Sequence, residues 1–150
     1  GLAPLSGWGI YAATKFALEG LSESLAQEVG PLGIRVTLVE PGAFRTDFLS
    51  AHSIQNASGS IAAYAETSGK NIRHLHQIAG KQQGDPVLAA RAIIEAVEAK
   101  EPPLHLVLGS DALRRARAKF QHLSDEVERW EQVALSTDFT DQPELALSSA

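Results

Sequence analysis

Two short apolar runs, Ile34-Arg35-Val36-Thr37-Leu38-Val39 and Leu104-His105-Leu106-Val107-Leu108, are set among segments of helical period. Each reads as a buried strand. Before the first run, Leu18, Leu21, Leu25 and Val29 recur at spacings of three and four, with Glu19, Glu23 and Gln27 between them. This predicts an amphipathic helix from about Gly9 to Val29. Gly30-Pro31 stops it, and Gly33 leads into the strand. Glu40-Pro41-Gly42 ends that strand, since proline interrupts a ladder and glycine lets the backbone approach a ligand closely.

From Ala43 to about Gly84 the pattern loosens into Ser, Asn, Gly and Ala around isolated apolar residues. A connection of this length inside a compact domain is usually functional or disordered, and we read it as a lid of loop and short helices. Asp85-Pro86 then supplies an N-cap and a first-turn proline for a helix carrying Val87, Ala90, Ile93, Ile94 and Val97. After the second run, Gly109-Ser110-Asp111 opens a helix expected from about Ala112 to Trp130. Helix, strand, lid, helix, strand, helix implies an α/β fold with parallel strands joined by right-handed crossovers. Residues 133–150 lack periodicity and read as a surface tail.

The chain has 150 residues, enough for one domain with a core, and a formal net charge of -5. That charge disfavours nucleic acid and anionic membranes as partners. Arg114, Arg115, Arg117 and Lys119 share a helix with Glu126, Glu128 and Glu131, which fits a solvated face. No apolar run reaches the roughly 20 residues of a membrane span. Cysteine is absent, which excludes disulfides and thiolate metal sites and fits a reducing, cytoplasmic setting. Methionine is absent too, so a chain opening at Gly1 reads as a piece of something longer.

Tyr11 and Lys15 stand at i and i+4 near the start of the first helix, so a phenol and an ammonium project from one face. A nearby positive charge favours the phenolate. Such a tyrosine can exchange a proton with a hydroxyl or carbonyl oxygen.

Tyr11-Ala12-Ala13-Thr14-Lys15-Phe16-Ala17, Gly33-Ile34-Arg35-Val36 and Pro41-Gly42-Ala43-Phe44-Arg45-Thr46 together resemble the C-terminal half of a short-chain dehydrogenase/reductase, of the compact single-domain branch. The resemblance runs more loosely to about Trp130. It implies the C-terminal part of a Rossmann-like, doubly wound parallel sheet, spanning residues 1–132 with the lid at about 43–84 and the tail at 133–150. It implies Tyr11 as general acid/base for an alcohol or carbonyl substrate. Lys15 would hold the nicotinamide ribose of NAD or NADP and assist Tyr11. Pro41, Gly42, Ala43, Phe44 and Thr46 would wall the nicotinamide. A homodimeric or homotetrameric parent is implied, with the Tyr11 helix at a subunit contact, where small Ala12, Ala13, Ala17 and Gly20 permit close approach.

The family's catalytic serine falls upstream of Gly1, and its glycine-rich phosphate loop has no counterpart here. Ser6 is too close to Tyr11 for the catalytic role and suits the turn before the helix. Half a sheet leaves the Ile34 to Val39 strand with an open edge, so the chain alone is expected to be unstable and inactive. Trp8, Phe48 and Tyr64, with Phe44, are candidates to line an apolar substrate pocket, with core packing the equal alternative. His74 and His76, at i and i+2 in a helical lid, do not suit a metal, and no metal site is expected. His105 reads as a packed or edge side chain, and Trp130 as packing its helix onto the body. Two other readings stay open: a non-catalytic remnant or interaction module of this fold, and a longer-branch sugar-nucleotide epimerase or dehydratase, which Pro41-Gly42 with Thr46 fits less well.

Overall fold

In the computed structural model the structure describes residues 1–50, 53–54, 59 and 61–139. Helix α1 spans Gly9–Val29, as the apolar period predicts, and passes into a 3-10 turn at Gly30–Leu32. Gly33 closes that turn at φ 79°, a left-handed conformation that only glycine adopts without strain. Strand β1 spans Leu38–Pro41 and strand β2 His105–Leu108. They pair in parallel, with Leu38 opposite His105 and Pro41 opposite Leu108. The lid carries 3-10 turns at Asp47–Leu49 and Ala62–Tyr64, a π-helical turn at Ala65–Gly69, and helix α2 at Lys70–Ile78. Helix α3, Pro86–Glu98, crosses between the strands, and α4, Ser110–Leu135, follows β2.

The first strand differs from expectation in register. Residues 34–37 lie outside the ladder, which begins where Leu38 donates its amide hydrogen to Leu104 O, at 2.7 Å. Before that point the approach to β2 rests on a side chain, with Thr37 Oγ1 donating to Pro103 O at 2.8 Å. Nor does proline interrupt the pairing. Gly42 N still donates to Leu108 O at 2.8 Å, one residue beyond Pro41. Successive amides alternate sides, so with Leu38 and Gly42 facing β2 the missing N–H of Pro41 falls on the opposite edge, where no ladder bond is lost.

Asp85 caps α3 as its sequence position suggests: Oδ1 accepts from the amides of Val87 and Leu88 at 2.8 and 3.4 Å. A bridge between Phe44 and Gly84 closes the base of the lid, with Arg45 N donating to Gly84 O and Gly84 N to Ala43 O. The Arg45 guanidinium adds two bonds to Gln82 O, and Gln82 itself is only 3% exposed. Helix α4 runs five residues past the expected end at Trp130.

Very little is buried. Among the described residues Leu38, Ala96 and Ala116 are the buried apolar ones, joined by Glu19 and Gln82. The expected apolar stripe of α1 does not point into this core: Leu18, Leu21 and Leu25 are exposed, Leu21 to 68%. Glu19, expected on the polar side, is instead the buried residue of α1. That face meets the sheet at Glu40 and His105, with Glu19 Oε2 3.8 Å from His105 Nδ1. Trp130 is 61% exposed and does not pack onto the body.

Candidate functional site

Tyr11 and Lys15 lie on the face of α1 that borders a cleft of about 530 Å³, whose opposite wall holds Pro41 and Gly42. The Lys15 ammonium sits 5.6 Å from the centroid of the Tyr11 ring. Four residues that are separated by a helix and a strand in sequence therefore meet at the carboxyl end of β1. Carboxyl ends of parallel strands are where open α/β sheets present backbone to ligands.

Aromatic rings flank the tyrosine. Trp8 meets it edge-on, with centroids 5.0 Å apart, and Phe48 lies tilted at 6.2 Å. Trp8 reaches this position through a turn in which its amide hydrogen bonds to Leu5 O at 3.1 Å. Ser6 belongs to that turn, as its place before the helix suggests. Its hydroxyl and carbonyl oxygens accept from Asn71 Nδ2 at 2.7 and 3.1 Å, tying the turn to α2. Gly7 has φ 84° and lies so close to Ser68 that a Cβ would stand 2.8 Å from the Ser68 Cβ.

The turn after β1 divides its polar groups. Gly42 N serves the sheet, and Ala43 N donates to Asp111 Oδ2 at 2.9 Å. Arg45 N and Thr46 N bond to Gly84 O and Phe44 O. Among the described residues this leaves the Phe44 amide as the donor in the turn without an acceptor. The Thr46 hydroxyl caps the 3-10 turn by accepting from Phe48 N at 3.3 Å. The Phe44 ring lines a separate hollow of about 380 Å³ with Gly84, Leu88 and Leu108. Tyr64 is exposed and has no recorded ring contact with the Tyr11 group among the described residues.

A second polar group at this cleft was not anticipated from sequence. His105 Nδ1 lies 2.8 Å from Glu40 Oε1 and 3.8 Å from Glu19 Oε2, and its Nε2 lies 3.7 Å from Glu23 Oε1. His105, expected as a packed or edge side chain, is partly exposed, and what it meets is a ring of carboxylates. The Glu40 hydrogen bond is the main cause that raises the imidazole above its ordinary value near 6.5, with the three carboxylate charges adding to it. Burial raises the Glu40 carboxyl above its ordinary 4.5, and neighbouring Glu19 pushes the same way. Among the described residues, Oε2 of Glu19 and of Glu40 are buried without a hydrogen-bond donor. No local pattern marks this group, because its members come from α1, β1 and β2. Asp111 escaped notice for the same reason. It reads as an ordinary acidic residue in a first helical turn, yet its carboxylate fills the space a Cβ of residue 42 would take.

A family model described as short chain dehydrogenase matches residues 1–57. The crystal structure of a short-chain dehydrogenase from Streptomyces avermitilis superposes with a TM-score of 0.79 at 43% identity, over 92% of this chain and 49% of that one. Oxidoreductase BOA17 of Botryotinia fuckeliana is 34% identical over 87% of this chain and 47% of its own length. The 17-beta-hydroxysteroid dehydrogenase type 1 of Mus musculus is 32% identical over 79% of this chain and 35% of its own. The chain thus spans about half or less of the curated relatives it matches.

Fold and site together define an α/β protein of the parallel, crossover-connected class, with a Rossmann-like sheet and a tyrosine and lysine of one helix beside a Pro-Gly strand end. The chain belongs to the short-chain dehydrogenase/reductase family. Among the described residues no helix is long and apolar enough to cross a membrane.

Proposed function

We propose that the protein carrying this chain interconverts an alcohol and a ketone or aldehyde with NAD or NADP, and that Tyr11 moves the proton. The observation that supports this best is the Lys15 ammonium 5.6 Å from the Tyr11 ring, with both side chains on one cleft with Pro41 and Gly42. The phenol oxygen would give its proton to a substrate carbonyl oxygen in reduction, or take one from a hydroxyl in oxidation. Lys15 would hold ribose hydroxyls.

The residues present suit the nicotinamide half of the cofactor. The Phe44 amide, next after the turn's bonded Gly42 and Ala43 amides, has a donor to offer a carboxamide. Bound there, the nicotinamide would supply or accept the hydride. Ala43 contributes differently, because its amide already serves Asp111. Its place would be to hold the turn in shape. Trp8 and Phe48, packed about Tyr11, would exclude water and favour an apolar substrate. The hydroxysteroid dehydrogenase among the relatives agrees with that preference.

The exposed leucines of α1 and the unpaired edge of β1 support the further reading that residues 1–150 act only with additional protein packed against them. We assign residues 1–132 to the catalytic domain and 133–150 to a tail, in a cytoplasmic homo-oligomer. The test of the chemistry is Tyr11→Phe in the full-length protein. Turnover at saturating cofactor should fall by roughly two to four orders of magnitude. Near-normal turnover would remove Tyr11 from the mechanism.

A further inference from the structure

Helix α4 runs on beyond the described residues it packs against. Ala116, in its second turn, is 4% exposed and packs against the body, but from Phe120 to the end of the helix every residue is exposed. The exposed part is not polar all round. Leu113, Ala116, Phe120, Leu123, Val127, Trp130 and Ala134 recur at alternating spacings of three and four. That is the a/d seam of a helix pair, and the remaining positions are mostly charged or amide side chains. A seam continued beyond the body has no partner among the described residues.

We propose that the overhang of α4 pairs antiparallel with the same helix of a second copy. Self-complementarity argues for this occupant. With Ala116 already covered by its own body, the register open to the overhang centres near Ser124 and Asp125. It sets Phe120 against the partner's Trp130, and Leu123 against the partner's Val127, each twice by symmetry. The same register brings Arg117 beside the partner's Glu131, again twice. Neither Arg117 nor Glu131 has an ion pair among the described residues. A parallel pair would instead oppose Glu126 to Glu131 at both flanks, with no cation to answer them. One feature of the antiparallel register is unfavourable: Glu126 meets its own copy near the axis, with His122 Nε2 3.6 Å from each carboxylate.

Cysteine is absent from these 150 residues, so a Ser124→Cys thiol is unique within them. In the full-length protein, a short bismaleimide should link Ser124→Cys into dimers, whereas Gln121→Cys, on the outer face of the helix, should not link. A dimer through another face would leave the two alike, and that outcome overturns the proposal. So does protection of the α4 seam inside a monomer. By sedimentation, Arg117→Glu should weaken the dimer roughly tenfold, and adding Glu131→Arg should restore it. Glu126→Gln should tighten it. If the charge exchange does not restore association in a variant whose circular dichroism is native, the antiparallel register is wrong.

Discussion

The Asp111 carboxylate, at the start of α4, accepts the amide hydrogen of Ala43 at 2.9 Å and fills the space beside the α-carbon of Gly42. Glycine at 42 is thus required by a neighbour sixty-nine residues away as much as by any ligand. Gly42→Ala should destabilise the protein by about 1–3 kcal/mol, the usual result of forcing a methyl into filled space. Denaturant unfolding of Gly42→Ala alone and with Asp111→Ala checks the cause. The double variant should lose less than the sum of the two singles, because the clash is gone.

The His105 cluster gives stability a pH dependence of definite sign. Both His105 and Glu40 hold protons more tightly in the folded state than in the unfolded one. Wherever the folded state binds more protons, stability falls as pH rises. The contribution of His105 is complete below its ordinary value near 6.5 and is lost as pH climbs through the raised one. For Glu40 the decline begins lower, near 4.5. Thermal unfolding midpoints of the full-length protein should therefore drop between about pH 6 and pH 8, and His105→Gln should flatten that part of the profile. An unchanged slope in the variant would place the titration elsewhere.

Removing the cap of α3 has a simpler outcome. Asp85 Oδ1 satisfies amides of the first turn that have no partner within the helix. Asp85→Ala should lower stability by about 1 kcal/mol, read from the midpoint of chemical denaturation at unchanged slope.

Residues 1–150 expressed alone should not unfold cooperatively. Ile10 is 87% exposed, and large apolar side chains elsewhere on α1, α3 and α4 are exposed as well. We expect binding of a hydrophobic dye, a shallow thermal transition and no hydride transfer. A sharp, single transition would mean that these faces find partners within the chain.

Much of the fold was legible because its signals are local. The boundaries of α1 follow from leucine spacing and from Gly30-Pro31, and those of α3 from Asp85-Pro86. Tyr11 and Lys15 could be paired by counting along one helix, and Pro41-Gly42 by its place after a strand. Other features had no local mark. The true start of β1 depends on where β2 offers acceptors, so the β-branched Ile34, Val36 and Thr37 misled. The inward turn of Glu19 depends on Glu40 and His105, two residues that lie on other elements. Periodicity says that a helix has two faces; it does not say which one finds something to pack against.

What the sequence by itself determined is the order of elements, the parallel sense of the strands and the placement of Tyr11 and Lys15 on one helical face. These rest on interactions within a few residues, or on connection rules that hold for any chain of this pattern. Tertiary structure alone decided that Ala43 spends its amide on Asp111, that three carboxylates surround His105, and that the seam of α4 runs out past the body. Each of these joins residues remote in sequence, where short-range preference has no force and only the shape of the packed chain selects the partner.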